Sequence, residues 1–139
     1  MNTIGAKVVI DTNIFITILG RKSTNRWIFD KIINSELQLC VSSEILFEYE
    51  EILTQKTNKD VARNVIDFLL ISPNVYLIDI YYHWNLIEVD PDDNKFIDCA
   101  ISSNAYCLVS NDKHFNVLKD IDFPKINILG LEEFESEFK

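Results

Sequence analysis

The chain reads as an α/β domain with a mostly parallel sheet, and three observations carry that expectation. Short apolar runs rich in β-branched residues alternate with longer segments of helical periodicity. Turn and cap signals separate them, notably Ser72-Pro73-Asn74 and Asp90-Pro91. Two of the strand-like runs lead into an aspartate, Lys7-Val8-Val9-Ile10-Asp11 and Cys107-Leu108-Val109-Ser110-Asn111-Asp112, which is where open parallel sheets place their ligands.

Taken in order, the first strand covers roughly Lys7 to Ile10. A short helical piece follows Asn13 and carries Ile14, Phe15, Ile18 and Leu19. A second helix spans about Thr24 to Ser35, with Trp27, Ile28, Ile32 and Ile33 as its apolar stripe. Gln38 to Val41 is a buried strand. Ser42 and Ser43 offer an N-cap for a helix to about Gln55, with Ile45, Tyr49, Ile52 and Leu53 facing the core. Asn58 to Ile71 repeats the helical period through Val61, Val65, Phe68 and Leu69, and Pro73 ends it. Val75 to Ile78 is a strand, whereas Tyr81 to Val89 fits either strand or loop. Asp90 as N-cap and Pro91 at the first helical position open a helix to about Asn104, burying Phe96, Ile97, Ala100 and Ile101. Cys107 to Val109 is a strand, Lys113 to Leu118 a short helix, Ile126 to Leu129 the last strand, and a helical tail starts at Leu131. No repeat or linker divides the chain, so residues 1–139 are expected to form one domain.

A length of 139 residues suffices to bury a core, and 47% hydrophobic content with three glycines and three prolines excludes a disordered or low-complexity class. No apolar run approaches the roughly 20 residues of a membrane span, and no secretory signal is recognisable. The expected location is cytoplasmic. Cys40, Cys99 and Cys107 are odd in number and sit in apolar segments, as reduced core residues do. No CxxC spacing occurs and His83 and His114 stand apart, which excludes a zinc site of the usual kind. The net charge of −9 runs against nucleic-acid binding, which draws on positive surface. Glu132, Glu133, Glu135 and Glu137 account for part of it, and the balance predicts weak metal-free RNA affinity and a basic protein partner.

Asp11 and Asp112 follow strands, Asp93 lies in the first turn of the helix opened by Asp90-Pro91, and Glu48 lies about one turn into the helix after Val41. Right-handed crossovers bring those helix starts to the sheet edge where the strands end. Carboxylates gathered there without matching lysines or arginines would repel one another, and Mg²⁺ or Mn²⁺ relieves that repulsion through hard oxygen ligands. Metal-assisted phosphodiester hydrolysis follows, giving a 5′-phosphate and a 3′-hydroxyl if water is the nucleophile. Taken singly each acid has a plainer role. Asp11 and Asp112 are ordinary turn and cap residues, Asp93 complements a helix dipole in competition with Asp92, and Glu44, Glu48 and Glu51 recur as a solvated face does. Only their joint placement favours the metal reading. No histidine is suitably placed to serve as base, and His114 is not expected to be a metal ligand.

The order of these pieces resembles the PIN domain, specifically the VapC-like toxins of toxin–antitoxin pairs. The resemblance is carried by Val8-Val9-Ile10-Asp11-Thr12-Asn13, Ser42-Ser43-Glu44-Ile45-Leu46-Phe47-Glu48-Tyr49, Asp90-Pro91-Asp92-Asp93-Asn94-Lys95-Phe96 with Ala100, and Leu108-Val109-Ser110-Asn111-Asp112. It implies a three-layer sandwich with a central, mostly parallel five-stranded sheet flanked by helices. It assigns Asp11, Glu48, Asp93 and Asp112 to the catalytic metal centre, preferring Glu48 to Glu44. Asn13 and Ser110 become polar supports of the acids, Ser110 standing where threonine is common. Asp98 is a further acid, five residues after Asp93 and off that helical face. The resemblance also implies Mg²⁺- or Mn²⁺-dependent endoribonuclease activity on RNA, a homodimer and inhibition by a cognate antitoxin.

Arg21, Lys22 and Arg26 follow the Asp11 loop, and Lys113 and His114 adjoin Asp112, so all five are candidate phosphate contacts. Trp27 and Trp84 are candidate base-stacking residues, although Trp27 also fits the helix core. A non-catalytic PIN-like module that binds a protein partner is the alternative, consistent with the acidic surface. A phosphorylated receiver domain would need an acidic pair after the first strand, and a P-loop enzyme a GK[ST] segment; neither is present.

Overall fold

The computed structural model describes residues 5–139; residues 1–4 of the expected 1–139 unit lie outside it. Five parallel strands form one sheet in the order β3-β2-β1-β4-β5: β1 (Ala6–Ile10), β2 (Leu37–Val41), β3 (Val75–Leu77), β4 (Cys107–Val109) and β5 (Ile128–Leu129). Helices α1 (Thr12–Leu19), α2 (Arg26–Ile33), α3 (Ser43–Lys56), α4 (Lys59–Ile71), α5 (Asn94–Ser103) and α6 (Leu131–Phe138) flank it. This is the expected α/β sandwich with a five-stranded parallel sheet. The central strands are the most apolar, as strands covered on both faces must be: Val8, Val9, Ile10, Leu39, Cys40, Leu108 and Val109 are all wholly buried.

Successive strands step outward from β1 to β3 and then return to its other side at β4, so the strand order reverses between β1 and β4. The two are in register at Ile10 and Val109, and the Asp11 amide donates to the Val109 carbonyl at 3.1 Å. The crevice of an open parallel sheet therefore opens beside Asp11 and Ser110.

Helix boundaries follow local chemistry. Ser42 caps α3 by accepting from the Ile45 amide, and Asn58 caps α4 by accepting from the Val61 amide. Asn104, in the left-handed region at φ 54°, terminates α5. Two apolar stripes differ from expectation. In α2 the buried residues are Ile28, Phe29 and Ile32, while Ile33 is exposed. In α4 they are Ala62, Ile66 and Leu69, while Val61 is exposed. Each helix has two adjacent apolar rows of equal spacing, and periodicity alone does not choose between them.

The start at Asp90-Pro91 is a 3₁₀ turn, Pro91–Asp93, leading into α5, and Lys113–Asp120 is also 3₁₀ rather than a short α-helix. The ambiguous segment after β3 is loop, with no regular element between Leu77 and Pro91. Side chains of α5 take over the backbone bonding that a ladder would supply. Asn94 accepts from the Ile87 amide and donates to the Ile87 carbonyl, both at 2.9 Å, and Asp98 accepts from the Trp84 amide at 3.0 Å. All three cysteines are buried and unpaired, as expected. No helix among the described residues is long and apolar enough to cross a membrane.

Candidate metal centre

Asp11 leaves β1 in extended conformation and caps α1, its Oδ1 accepting from the Ile14 amide at 2.9 Å. Its Oδ2 accepts the hydroxyl of Ser110, which follows β4 on the neighbouring strand. The same Ser110 oxygen accepts from the Asp112 amide at 3.0 Å, and Asp112 Oδ1 caps the next turn through the His114 amide at 2.9 Å. Ser110 thus couples the two strand-end acids. Glu48 reaches in from α3, with Oε2 accepting the Thr12 hydroxyl. Asp93 ends the 3₁₀ turn that Asp90 caps through the Asp92 amide at 3.2 Å.

Asp11, Glu48, Asp93 and Asp112 line one cavity of about 180 Å³, together with Thr12, Asn13, Ile52 and Phe96. A neighbouring hollow of about 340 Å³ shares Asp11, Asn13 and Asp112 and extends along Thr17 and Leu131. Burial raises the carboxyl pKa of Asp11 above its ordinary range; Ser110 and the Ile14 amide oppose this, and Asp112 and Asp93 add repulsion. Burial likewise raises Asp93, against the His114 hydrogen bond and with repulsion from Asp112 and Asp90. Mutual repulsion of this kind is what a divalent cation relieves. The donor set, carboxylate oxygens with one imidazole nearby, suits a divalent cation.

Several expectations need correction. The acids are not free of cationic partners: the Lys95 ammonium lies 2.8 Å from Glu48 Oε1, with its side chain only 10% exposed. Lys95 follows Asp93 by two residues, and a linear reading gives no sign that it turns toward α3. Asn13 lines the cavity but is exposed, and the side-chain hydroxyls bonded to the acids are those of Thr12 and Ser110. His114, expected as a phosphate contact beside Asp112 and not as a metal ligand, places Nδ1 3.0 Å from Asp93 Oδ2 and 3.6 Å from Asp112 Oδ1. With Asp90 and Asp93 it forms the group of described residues whose ligand atoms lie within 4.8 Å of one another.

The candidate phosphate contacts separate. Arg26 is committed internally, to Asp30 at 3.2 Å, to the Leu19 carbonyl at 2.5 Å and over the Phe29 ring. Arg21, Lys22 and Lys113 are exposed. Asp98 is buried and bonded to Trp84 and His83, away from the acid cavity. Trp27 stacks on Phe134, and Trp84 packs edge-on against Tyr82 and Phe123.

A parallel α/β sheet with acids from four separate segments meeting at its topological switch defines a PIN-type domain. The chain belongs to the PIN domain family, whose model matches residues 7–114. An uncharacterized protein of Methanocaldococcus jannaschii is 31% identical, in an alignment covering 100% of this chain and 96% of that protein. In structure the chain is similar to VapBC2 of Rickettsia felis, solved bound to a DNA fragment from its promoter, with a TM-score of 0.62, 18% identity and coverage of 89% and 98% of the two chains. DNA-bound VapBC of Salmonella typhimurium matches with a TM-score of 0.56 and 19% identity, covering 90% and 98%. The PIN domain endonuclease Utp24 matches with a TM-score of 0.51 and 18% identity, covering 90% and 84%. The fold is VapC-like.

Proposed function

We propose that this protein is a Mg²⁺- or Mn²⁺-dependent endoribonuclease, acting in the cytoplasm as the toxin component of a toxin–antitoxin pair. The observation that carries this reading is the meeting of Asp11, Glu48, Asp93 and Asp112 in one cavity at the sheet's switch point. Membership of the PIN family supports it, as does likeness in fold to VapBC complexes and to an endonuclease.

Asp11, Asp93 and Asp112 would hold the ion, with Glu48 lining the same cavity. A divalent cation there supplies Lewis-acid chemistry: it acidifies a bound water and neutralises charge on the phosphate. The protein's own part is to fix the acids. Ser110 orients Asp11, the helix cap holds its other oxygen, and His114 keeps a donor against Asp93. The expected products are a 5′-phosphate and a 3′-hydroxyl. Arg21, Lys22 and Lys113 remain exposed cations able to meet the RNA backbone, and the surplus of negative charge fits a basic antitoxin. A homodimer is part of the same reading.

The test is cleavage of single-stranded RNA by purified protein in Mg²⁺ or Mn²⁺, with Asp93→Asn as control. Cleavage that persists in the folded variant, or none by the wild type in either metal, would overturn the assignment. The second reading, a non-catalytic binding module, is favoured by the Lys95 ammonium already seated on Glu48. Wild-type inactivity together with tight antitoxin binding would establish it.

A further inference from the structure

We propose that Lys95 is the built-in counter-ion of Glu48 and restricts the acidic centre to a single divalent cation, held on the Asp11, Asp93 and Asp112 side. This rests on the metal-dependent reading above and refines it.

Both oxygens of Glu48 are taken by the protein itself. Oε1 receives the Lys95 ammonium at 2.8 Å and Oε2 receives the Thr12 hydroxyl. Lys95 is anchored a second time, donating to the Asp92 carbonyl at 2.8 Å, and its ammonium lies 5.6 Å from the centre of the Phe96 ring. An ammonium fixed at two oxygens and nine-tenths buried is a stand-in for a metal ion on that acid. A cation approaching Glu48 would meet a positive charge at close range in a partly dehydrated site, where repulsion is strongest. The three aspartates differ: among the described residues none has a lysine or arginine within ion-pairing distance, and their neighbours are Ser110, backbone amides and His114. The cavity therefore has a side already neutralised and a side that is not. Lys95 is a positioning residue: it assigns Glu48 to the scaffold of the centre and leaves the aspartates as the cation site.

Counting Mn²⁺ bound to the full chain, by the paramagnetic resonance signal of free Mn²⁺ during titration, tests this without reference to cleavage. Wild type and Lys95→Arg are expected to bind one ion, and Lys95→Met two. Glu48→Gln is expected to keep the ion with affinity within about threefold, where Asp93→Asn loses at least about tenfold. Two ions in the wild type, a single ion in folded Lys95→Met, or tenfold loss in Glu48→Gln would each overturn the proposal; the last decides the matter even if Lys95→Met does not fold. A folded wild type that binds no Mn²⁺ sinks this inference and the metal-dependent reading together. One bound ion with uncut RNA leaves the role of Lys95 standing and removes only the nuclease assignment.

Discussion

His114 and Asp93 face each other at 3.0 Å, Nδ1 to Oδ2, across 21 residues of sequence. The Asp93 hydrogen bond raises the imidazole pKa above its ordinary value, with Asp112 adding to the effect. A histidine raised in the folded state stabilises the protein fully below its unfolded pKa of about 6.5, and that contribution disappears as pH rises through the folded value. Asp93 is raised as well, so protonating it on the acid side also favours the folded form. The melting temperature of metal-free protein should therefore increase as pH falls from about 8 toward 6. His114→Gln should flatten that slope, which a series of thermal melts against pH will show.

Asp11 carries a cost in the absence of metal. Its carboxyl is raised mainly by burial, so the ionised form at neutral pH is disfavoured by the fold. Asp11→Asn preserves an acceptor for the Ile14 amide and removes the charge. The variant should melt above the wild type at pH 7 in chelator, yet lose RNA cleavage. Equal melting temperatures would show that the buried charge imposes no penalty.

Ser110 is the hinge between the strand-end acids, bonded to Asp11 and to the Asp112 amide. Ser110→Ala should weaken Mn²⁺ affinity by about 10- to 100-fold, the usual effect of removing an outer support of a metal ligand. Ser110→Thr keeps the hydroxyl and should stay close to wild type. Calorimetric titration of the three proteins with Mn²⁺ measures it.

The loop after β3 depends on Asn94 and Asp98 more than on its own backbone pairing. Asn94→Ala strands both the amide and the carbonyl of Ile87 and should cost about 1–3 kcal/mol by urea unfolding. Limited proteolysis should then cut within residues 79–90 faster than in the wild type.

Much of this fold was legible in the chain because its signals are local. Strands ending in Asp11 and leading to Asp112, the Ser42 and Asn58 caps and the Asp90-Pro91 turn all depend on near neighbours. So does the set of acids, since each sits at a strand end or helix start that topology brings to one edge. The lateral contacts are not encoded this way. Lys95 meets Glu48, and Thr12 replaces Asn13 as a donor, because of how α1, α3 and α5 pack, and no periodicity encodes that. His114 stands two residues past Asp112, yet it meets Asp93 across 21 residues of sequence, a contact between separate segments. The buried rows of α2 and α4 follow the same rule: spacing defines a stripe, but the partner surface selects which one.

The Ser110 hydroxyl that steadies Asp11 is supplied 99 residues downstream. During synthesis the opening strand therefore emerges with its acid unsupported, and it stays so until β4 has been made. A ribosome-bound fragment stopping before β4 holds neither Asp112 nor its tether. On the metal-dependent reading proposed above, such a fragment would lack a complete set of acids until β4 and the turn after it have docked.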